Sequence, residues 1–266
     1  MLGAIIGDVV GSIYEFDNIR TKNFDFITQE CTFTDDTIMT VAIANALMND
    51  LDVEKEVKRM GLKYPSSYGI SFSSWLKGYI KGPYNSFGNG SAMRVSPCGW
   101  LGNNEEKVKA LSKKVTEITH NHPEGIKGAE VVAMCIYYAR KGYSKEFIKN
   151  YAEKYYKLDF TYEELVKNYS FNETCQESVP QAIYCFLISN DFEDAIRTVI
   201  SIGGDSDTIA AITGSIAEAF YKKIDESVVK EILTKLPDDM KTVLKQFYEL
   251  KKNELSEIAM LLEKWI

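Results

Sequence analysis

Between Gly203 and Phe220 the chain passes from a two-glycine bend through Asp205-Ser206-Asp207-Thr208 into Ile209-Ala210-Ala211-Ile212-Thr213-Gly214-Ser215-Ile216-Ala217-Glu218-Ala219-Phe220. Glycine adopts left-handed dihedrals without steric cost, so the pair permits a sharp bend. Isoleucine, alanine and Phe220 cover most of the circumference of the helix that follows, which therefore belongs in the interior. Its acidic start must go inside with it. Buried carboxylates are costly unless paired or bound to a metal. No lysine or arginine lies within this stretch to pair with them. A cation is the expected partner.

A second stretch has the same design. Phe33-Thr34-Asp35-Asp36-Thr37 opens another apolar helix, Ile38 to Leu47. Consecutive residues inside a helix point about 100° apart, so three of them converge on one point only at a non-helical start. Oxygen-only donors suit hard cations such as Mg²⁺, Mn²⁺ or Ca²⁺ rather than zinc. Four aspartates balance two divalent ions in formal charge. Capping is the competing explanation, because Asp and Thr favour helix N-termini for hydrogen-bond and dipole reasons alone. Pro237-Asp238-Asp239 has the same local pattern and needs nothing more. Two such starts on two buried-type helices favour the cation.

Composition narrows the remaining classes. The 266 residues suffice for a substantial core, and 45% hydrophobic with 26% charged residues is ordinary for a globular chain. A net charge of −7 argues against nonspecific nucleic-acid binding and against an anionic membrane surface. No apolar run reaches the roughly 18 residues of a membrane span. The start, Met1 to Asp8, lacks the basic residues of a secretory signal. Cys31, Cys98, Cys135, Cys175 and Cys185 show no CxxC spacing and read as reduced, mostly buried thiols of a cytoplasmic protein.

Periodicity is helical nearly throughout. Residues 1–15 read as a helix with Gly3, Gly7 and Gly11 in one stripe. Each glycine costs about 1 kcal/mol relative to alanine, which close approach of another backbone, such as the helix after Asp205, would offset. Asp8 and Glu15 share a face of this helix, placing Glu15 at its end. Further helices are expected near 34–48, 53–61, 72–80, 105–118, 124–141, 145–156, 178–189, 191–201, 208–222 and 240–251. No stretch alternates as a strand does. The expectation is one all-α domain over residues 1–266, an orthogonal multi-helix arrangement with a metal site at helix N-termini and helices of 223–266 packed on it.

Ser86-Phe87-Gly88-Asn89-Gly90-Ser91 lies in the clearest loop and leads into a helix start at Ser91-Ala92-Met93-Arg94. Backbone N–H groups there suit phosphate, with Arg94 as counter-charge or as the partner of an acidic residue. Phe87 stands where a ring can stack on a base or ribose, against a plain packing role. Both histidines fall in Thr119-His120-Asn121-His122-Pro123. His120 is read either as a sugar or phosphate contact or as an exposed cap.

Five blocks in order resemble the ADP-ribosylglycohydrolase family: Gly3 to Glu15, Phe33 to Thr37, Gly88 to Arg94, Thr119 to Glu124 and Gly203 to Thr208. The resemblance covers roughly residues 1–222. It implies an all-helical fold and two divalent cations, Mg²⁺ or Mn²⁺, held by Thr34, Asp35 and Asp36 from one side and Asp205, Asp207 and Thr208 from the other. Glu15 matches a mobile glutamate near the scissile bond. Glu15 or Asp36 would act as general acid or base. Ser86, Phe87, Gly88, Asn89, Gly90 and Ser91 match the loop that cradles ADP-ribose, and His120 the histidine at its phosphate-ribose part. The implied activity is hydrolysis of a glycosidic bond that links ADP-ribose to a protein side chain or small conjugate, with nucleic acid involved only as a modified substrate. Members acting on ADP-ribosyl-arginine share an acidic residue between the second and third blocks. Here Tyr68 to Trp75 contains no carboxylate, which argues against arginine. A metal-dependent nucleotide phosphohydrolase and a non-catalytic ADP-ribose-binding protein are the alternatives.

Overall fold

The computed structural model describes residues 1–266 in full, as helices without a sheet. In chain order these are α1 (Leu2–Gly11), α2 (Asp35–Met48), α3 (Val53–Lys63), α4 (Ile70–Leu76), α5 (Gly90–Met93), α6 (Ser96–Leu101), α7 (Glu105–Thr116), α8 (Pro123–Arg140), α9 (Lys145–Ala152), α10 (Tyr162–Asn168), α11 (Cys175–Ile188), α12 (Phe192–Ile200), α13 (Ser206–Tyr221), α14 (Glu226–Lys235), α15 (Asp238–Leu250) and α16 (Ser256–Trp265). No helix is long and apolar enough to cross a membrane.

Helix α13 is the axis of the molecule. Every residue from Ser206 to Ala219 is buried, and α1, α8, α11 and α12 pack around it. Helix α1 lies against it most closely. A Cβ added to Gly3 would sit 2.2 Å from the Gly214 carbonyl oxygen, one on Gly7 2.1 Å from the Ala210 carbonyl oxygen, and one on Gly11 2.5 Å from Asp207 Cα. The glycine stripe is therefore a backbone-to-backbone seam. Burial of α1 and α13 along it offsets the helix-propensity cost of the glycines.

Residues 1–15 do not form one helix. Helix α1 ends at Gly11, and Glu15 lies in the irregular segment beyond it. The reason is tertiary. The Asn18 side chain donates to the carbonyls of Tyr14 (2.6 Å), Glu15 (3.1 Å) and Gly204 (2.9 Å) and accepts from Gly204 N–H (2.7 Å). These bonds tie the Glu15 segment to the bend before α13 more strongly than helix propensity could extend α1.

Helices α6 and α10 are absent from the pattern-based reading. In α6, Pro97 and Gly99 resemble loop residues. Yet Pro97 occupies the first turn, where its missing N–H is harmless. Gly99 lets α6 approach α8, since a Cβ there would meet Ile136 Cγ2 at 2.6 Å.

The C-terminal helices pack on this body. Helix α15 lies against α2, and α16 against α14 and α15. The Tyr248 hydroxyl, fully buried, accepts from Leu2 N–H at 2.7 Å and donates to Glu218. Glu218 also accepts from Gly3 N–H (2.8 Å) and from the Met1 ammonium (2.5 Å). One hydrophobic cluster runs from Met1 through α13 to Leu262.

Candidate active site

The bend at Gly203-Gly204 is left-handed at both residues, with φ +69° and +86°. A side chain would fit at neither position. A Cβ on Gly203 would meet the Arg20 guanidinium carbon at 2.8 Å, and one on Gly204 the Tyr169 ring at 2.3 Å. Arg20 donates to the Ile202 and Tyr169 carbonyls and closes the bend from outside. The chain then enters α13 with Asp205, Asp207 and Thr208 all buried.

The start of α2 meets it. Thr208 Oγ1 donates to Asp36 Oδ2 at 3.2 Å, and Thr34 Oγ1 lies 3.4 Å from Asp207 Oδ2. Segments more than 170 residues apart thus share one acidic cluster. Two carboxylate groups in it have the spacing to hold a metal ion: Asp8, Asp36 and Asp207, and Glu15, Asp205 and Asp207.

Asp8 has no assigned role in the sequence reading. It is fully buried in α1 and accepts from Thr34 N–H (2.9 Å), Thr34 Oγ1 (2.7 Å), Thr37 N–H (3.0 Å) and Thr37 Oγ1 (2.5 Å). Three of these bonds fall on Oδ2 and one on Oδ1, so Asp8 orients the mouth of α2 while Oδ1 keeps a lone pair. The remaining signal in the sequence was its place on the glycine-striped helix.

Capping does not account for the other carboxylates. Thr34 caps α2, but Asp205 makes no side-chain cap bond at α13. Asp36 Oδ1 is buried without any hydrogen-bond partner. Asp8, Glu15, Asp35, Asp36, Asp205 and Asp207 take part in none of the molecule's ion pairs. Asp239, in the look-alike stretch before α15, behaves differently. It binds Lys63 (2.6 Å) and the Tyr64 hydroxyl (2.5 Å).

The electrostatics follow. Burial, then repulsion from Asp205, Asp35, Asp8 and Glu173, pushes the Glu15 carboxyl up to about 7. Burial and then Asp8 push Asp35 up to about 7. Asp36 and Asp207 rise well above the ordinary range, again first by burial and then by neighbouring aspartates. A partnerless carboxylate oxygen among uncompensated negative groups fits a divalent cation, with oxygen donors only.

A cleft of about 510 Å³ opens over the cluster. Glu15, Asp35, Asp36, Asp205, Asp207 and Thr208 line its floor. One wall is the segment 67–72 at the start of α4. The other holds Ser86, Gly88, Asn89, Gly90, Arg94, His120 and Glu173. Asn89 joins wall to floor, its side chain donating to Asp205 Oδ2 at 2.7 Å. An antiparallel bridge between Gly88 and Thr174 fixes the loop, with Asn89 N–H donating to the Glu173 carbonyl at 2.7 Å.

Three expected residues sit apart from the cleft wall. Thr34 caps α2, its hydroxyl donating to Asp8 Oδ1 at 2.7 Å. Ser91 is fully buried, its hydroxyl donating to the Gly125 carbonyl at 2.9 Å, so it anchors the loop from behind. Phe87 is half exposed, with its ring 5.2 Å from that of His122. The two histidines divide the two readings. His122 caps α8, accepting from Glu124 N–H at 3.1 Å. His120 is buried in the cleft wall. Arg94 is also buried. It donates to the Val115 carbonyl (3.2 Å) and Thr119 Oγ1 (2.7 Å) and meets no carboxylate. Glu173 carried no signal in the sequence and reaches the cleft through the bridge beside it.

Fold and cleft together define an all-helical protein with a buried acidic cluster at two helix N-termini beneath a glycine-rich loop. The ADP-ribosylglycohydrolase family model matches residues 1–257, and the chain belongs to that family. It is 26% identical over 304 aligned residues to the ADP-ribosylhydrolase ARH3 of Homo sapiens, covering 83% of this chain and 84% of that one. It is 26% identical over 286 residues to an uncharacterized protein of Archaeoglobus fulgidus, covering 89% and 94%. A solved structure, an ADP-ribosylglycohydrolase-related protein complex, shares the fold at a TM-score of 0.64 and 21% identity over 99% of this chain and 95% of that one. Hydrolysis of an ADP-ribosyl linkage is the general activity this membership carries.

Proposed function

We propose that the chain, acting as one domain, is a divalent-metal-dependent hydrolase that releases ADP-ribose from an ADP-ribosylated side chain or small conjugate. The observation that carries this reading is the orphaned Asp36 Oδ1 inside a carboxylate cluster that no lysine or arginine neutralises. Thr34, Asp35, Asp36, Asp205, Asp207 and Thr208 would hold two ions, Mg²⁺ or Mn²⁺. When bound, such ions polarise hydroxyls and water.

The chain's own residues do the rest. The loop from Ser86 to Ser91 would cradle the nucleotide, with Ser86, Gly88, Asn89 and Gly90 at the cleft and Ser91 anchoring them from behind, and Asn89 holds that loop against Asp205. His120 faces the phosphate-ribose part. Asp8 keeps the mouth of α2 aimed at the cluster. Glu15 reaches the cleft from a segment pinned by Asn18. Its carboxyl, raised in the metal-free chain by burial and the neighbouring aspartates, is placed to exchange a proton at the reacting bond. The transition state gains oxocarbenium character, which the surrounding carboxylates stabilise electrostatically.

The test is an Asp36→Asn variant with a panel of ADP-ribose conjugates, assayed with chelator and with each metal re-added. Release of ADP-ribose should fall by at least about 100-fold in the variant and in chelator. Parent-level release from Asp36→Asn removes the assignment. Free phosphate as the product would instead identify a nucleotide phosphohydrolase. Calorimetric binding of ADP-ribose without turnover would identify a binding protein.

A further inference from the structure

The Arg94 guanidinium is fully buried, faces no carboxylate and has no partner for Nε. Its Nη2 donates to Thr119 Oγ1 at 2.7 Å, and that oxygen lies 2.7 Å from His120 Nδ1. An arginine only donates, and a threonine hydroxyl has a single hydrogen. Arg94 takes one of the two acceptor sites on Thr119 Oγ1, and the hydroxyl hydrogen has His120 Nδ1 within reach at 2.7 Å. Donation along that line satisfies both groups and leaves the imidazole hydrogen on Nε2. That atom faces the Gly88-Asn89-Gly90 turn, 3.3 Å from where a Cβ of Gly90 would be and 3.6 Å from where one of Gly88 would be.

We propose that Arg94 and Thr119 are positioning residues that hold His120 as the neutral tautomer with its hydrogen on Nε2, aimed at the phosphate-bearing ligand of the cleft. The inference rests on the reading above for the identity of that ligand. It explains a buried cation without an anion. The guanidinium acts through a hydroxyl to set the direction of a hydrogen-bond donor, and a second-neighbour contact of this kind is what fixes a histidine tautomer. Burial, and then the same cation, disfavour an imidazolium at this position. The opposite tautomer would turn the Thr119 hydroxyl toward the Tyr84 hydroxyl, the other group within its reach, and would offer the ligand a lone pair instead of an N–H.

The chain has two histidines, so ring nitrogen-15 spectra of the free protein report the tautomer directly. His122→Asn, which keeps a capping side chain, assigns the signals. A protonated Nε2 and bare Nδ1 on His120 are expected. A protonated Nδ1 overturns the proposal. Thr119→Val should release the tautomer and weaken ADP-ribose binding about tenfold while the metal-induced rise in melting temperature persists. Thr119→Ser, which keeps the hydroxyl, should restore both tautomer and affinity. A Thr119→Val protein with parent tautomer and parent affinity also overturns it. If the parent protein shows the Nε2 hydrogen but binds no ADP-ribose, the positioning role stands and the ligand reading falls.

Discussion

Four hydrogen bonds from two threonines converge on Asp8, two of them from N–H groups at the mouth of α2. An asparagine there would set its own N–H₂ against one of those donors. Asp8→Asn should therefore cost about 2 kcal/mol of stability, the range for a buried unsatisfied donor. It should also weaken metal binding by more than tenfold as Thr34 and Asp36 lose their orientation. Denaturant melts and metal titrations of the variant check both effects. An unchanged metal affinity would make Asp8 merely structural. The sequence marked Asp8 only by the face it shares with Glu15. That face mattered less than expected, because α1 ends before Glu15 and Asn18 carries the segment to the cleft.

At the scale of elements, the seam between α1 and α13 is the most exposed to substitution. Gly7→Ala and Gly11→Ala both insert a methyl where a backbone atom lies. Each should destabilise by about 3 kcal/mol, the upper range of overpacking. They should differ in function. Gly7 faces Ala210 in mid-helix, whereas Gly11 faces Asp207 itself. Gly11→Ala should lower metal affinity by more than tenfold, and Gly7→Ala should change it little. Thermal melts paired with metal titrations separate the two. The seam was legible because three glycines at a four-residue period had no other use. Helices α6 and α10 were not. Pro97 and Gly99 disguise α6, which is held by its packing on α8, whereas α10 rests on a local capping box of Thr161 and Glu164.

The molecule as a whole responds to pH through its acidic cluster. Glu15 and Asp35 titrate near 7 in the folded chain against 4.5 and 3.8 for the ordinary groups, and Asp36 and Asp207 lie higher still, chiefly because of burial. Between about pH 5 and 7 the folded metal-free protein thus binds more protons than the unfolded chain, and its stability must fall as pH rises. His120, held below its ordinary value by burial and Arg94, works the other way over the lower part of that window, as one group against the six raised carboxyls of the cluster, Asp8 and Asp205 included. Chelated protein should melt at a lower temperature at about pH 8 than at about pH 5. Added Mg²⁺ or Mn²⁺ should raise the melting temperature more at the higher pH, since the ion replaces the protons. Scanning calorimetry at both pH values, with chelator and with metal, tests the sign. An equal metal-induced shift at both would show that these carboxylates do not hold the ion.

Local residue chemistry determined the helical class, the buried character of α2 and α13, the acidic helix starts and the ordered blocks that mark the family. Those properties follow from spacing along one segment, where side-chain pattern and backbone geometry are coupled directly. The tertiary structure alone decided which carboxylates lack partners, that Asp8 orients while Asp36 is left open, that Asn18 and not a helix delivers Glu15, and that His120 lines the cleft while His122 caps. Each of these depends on which distant atom arrives within hydrogen-bond reach, and no local pattern encodes that distance.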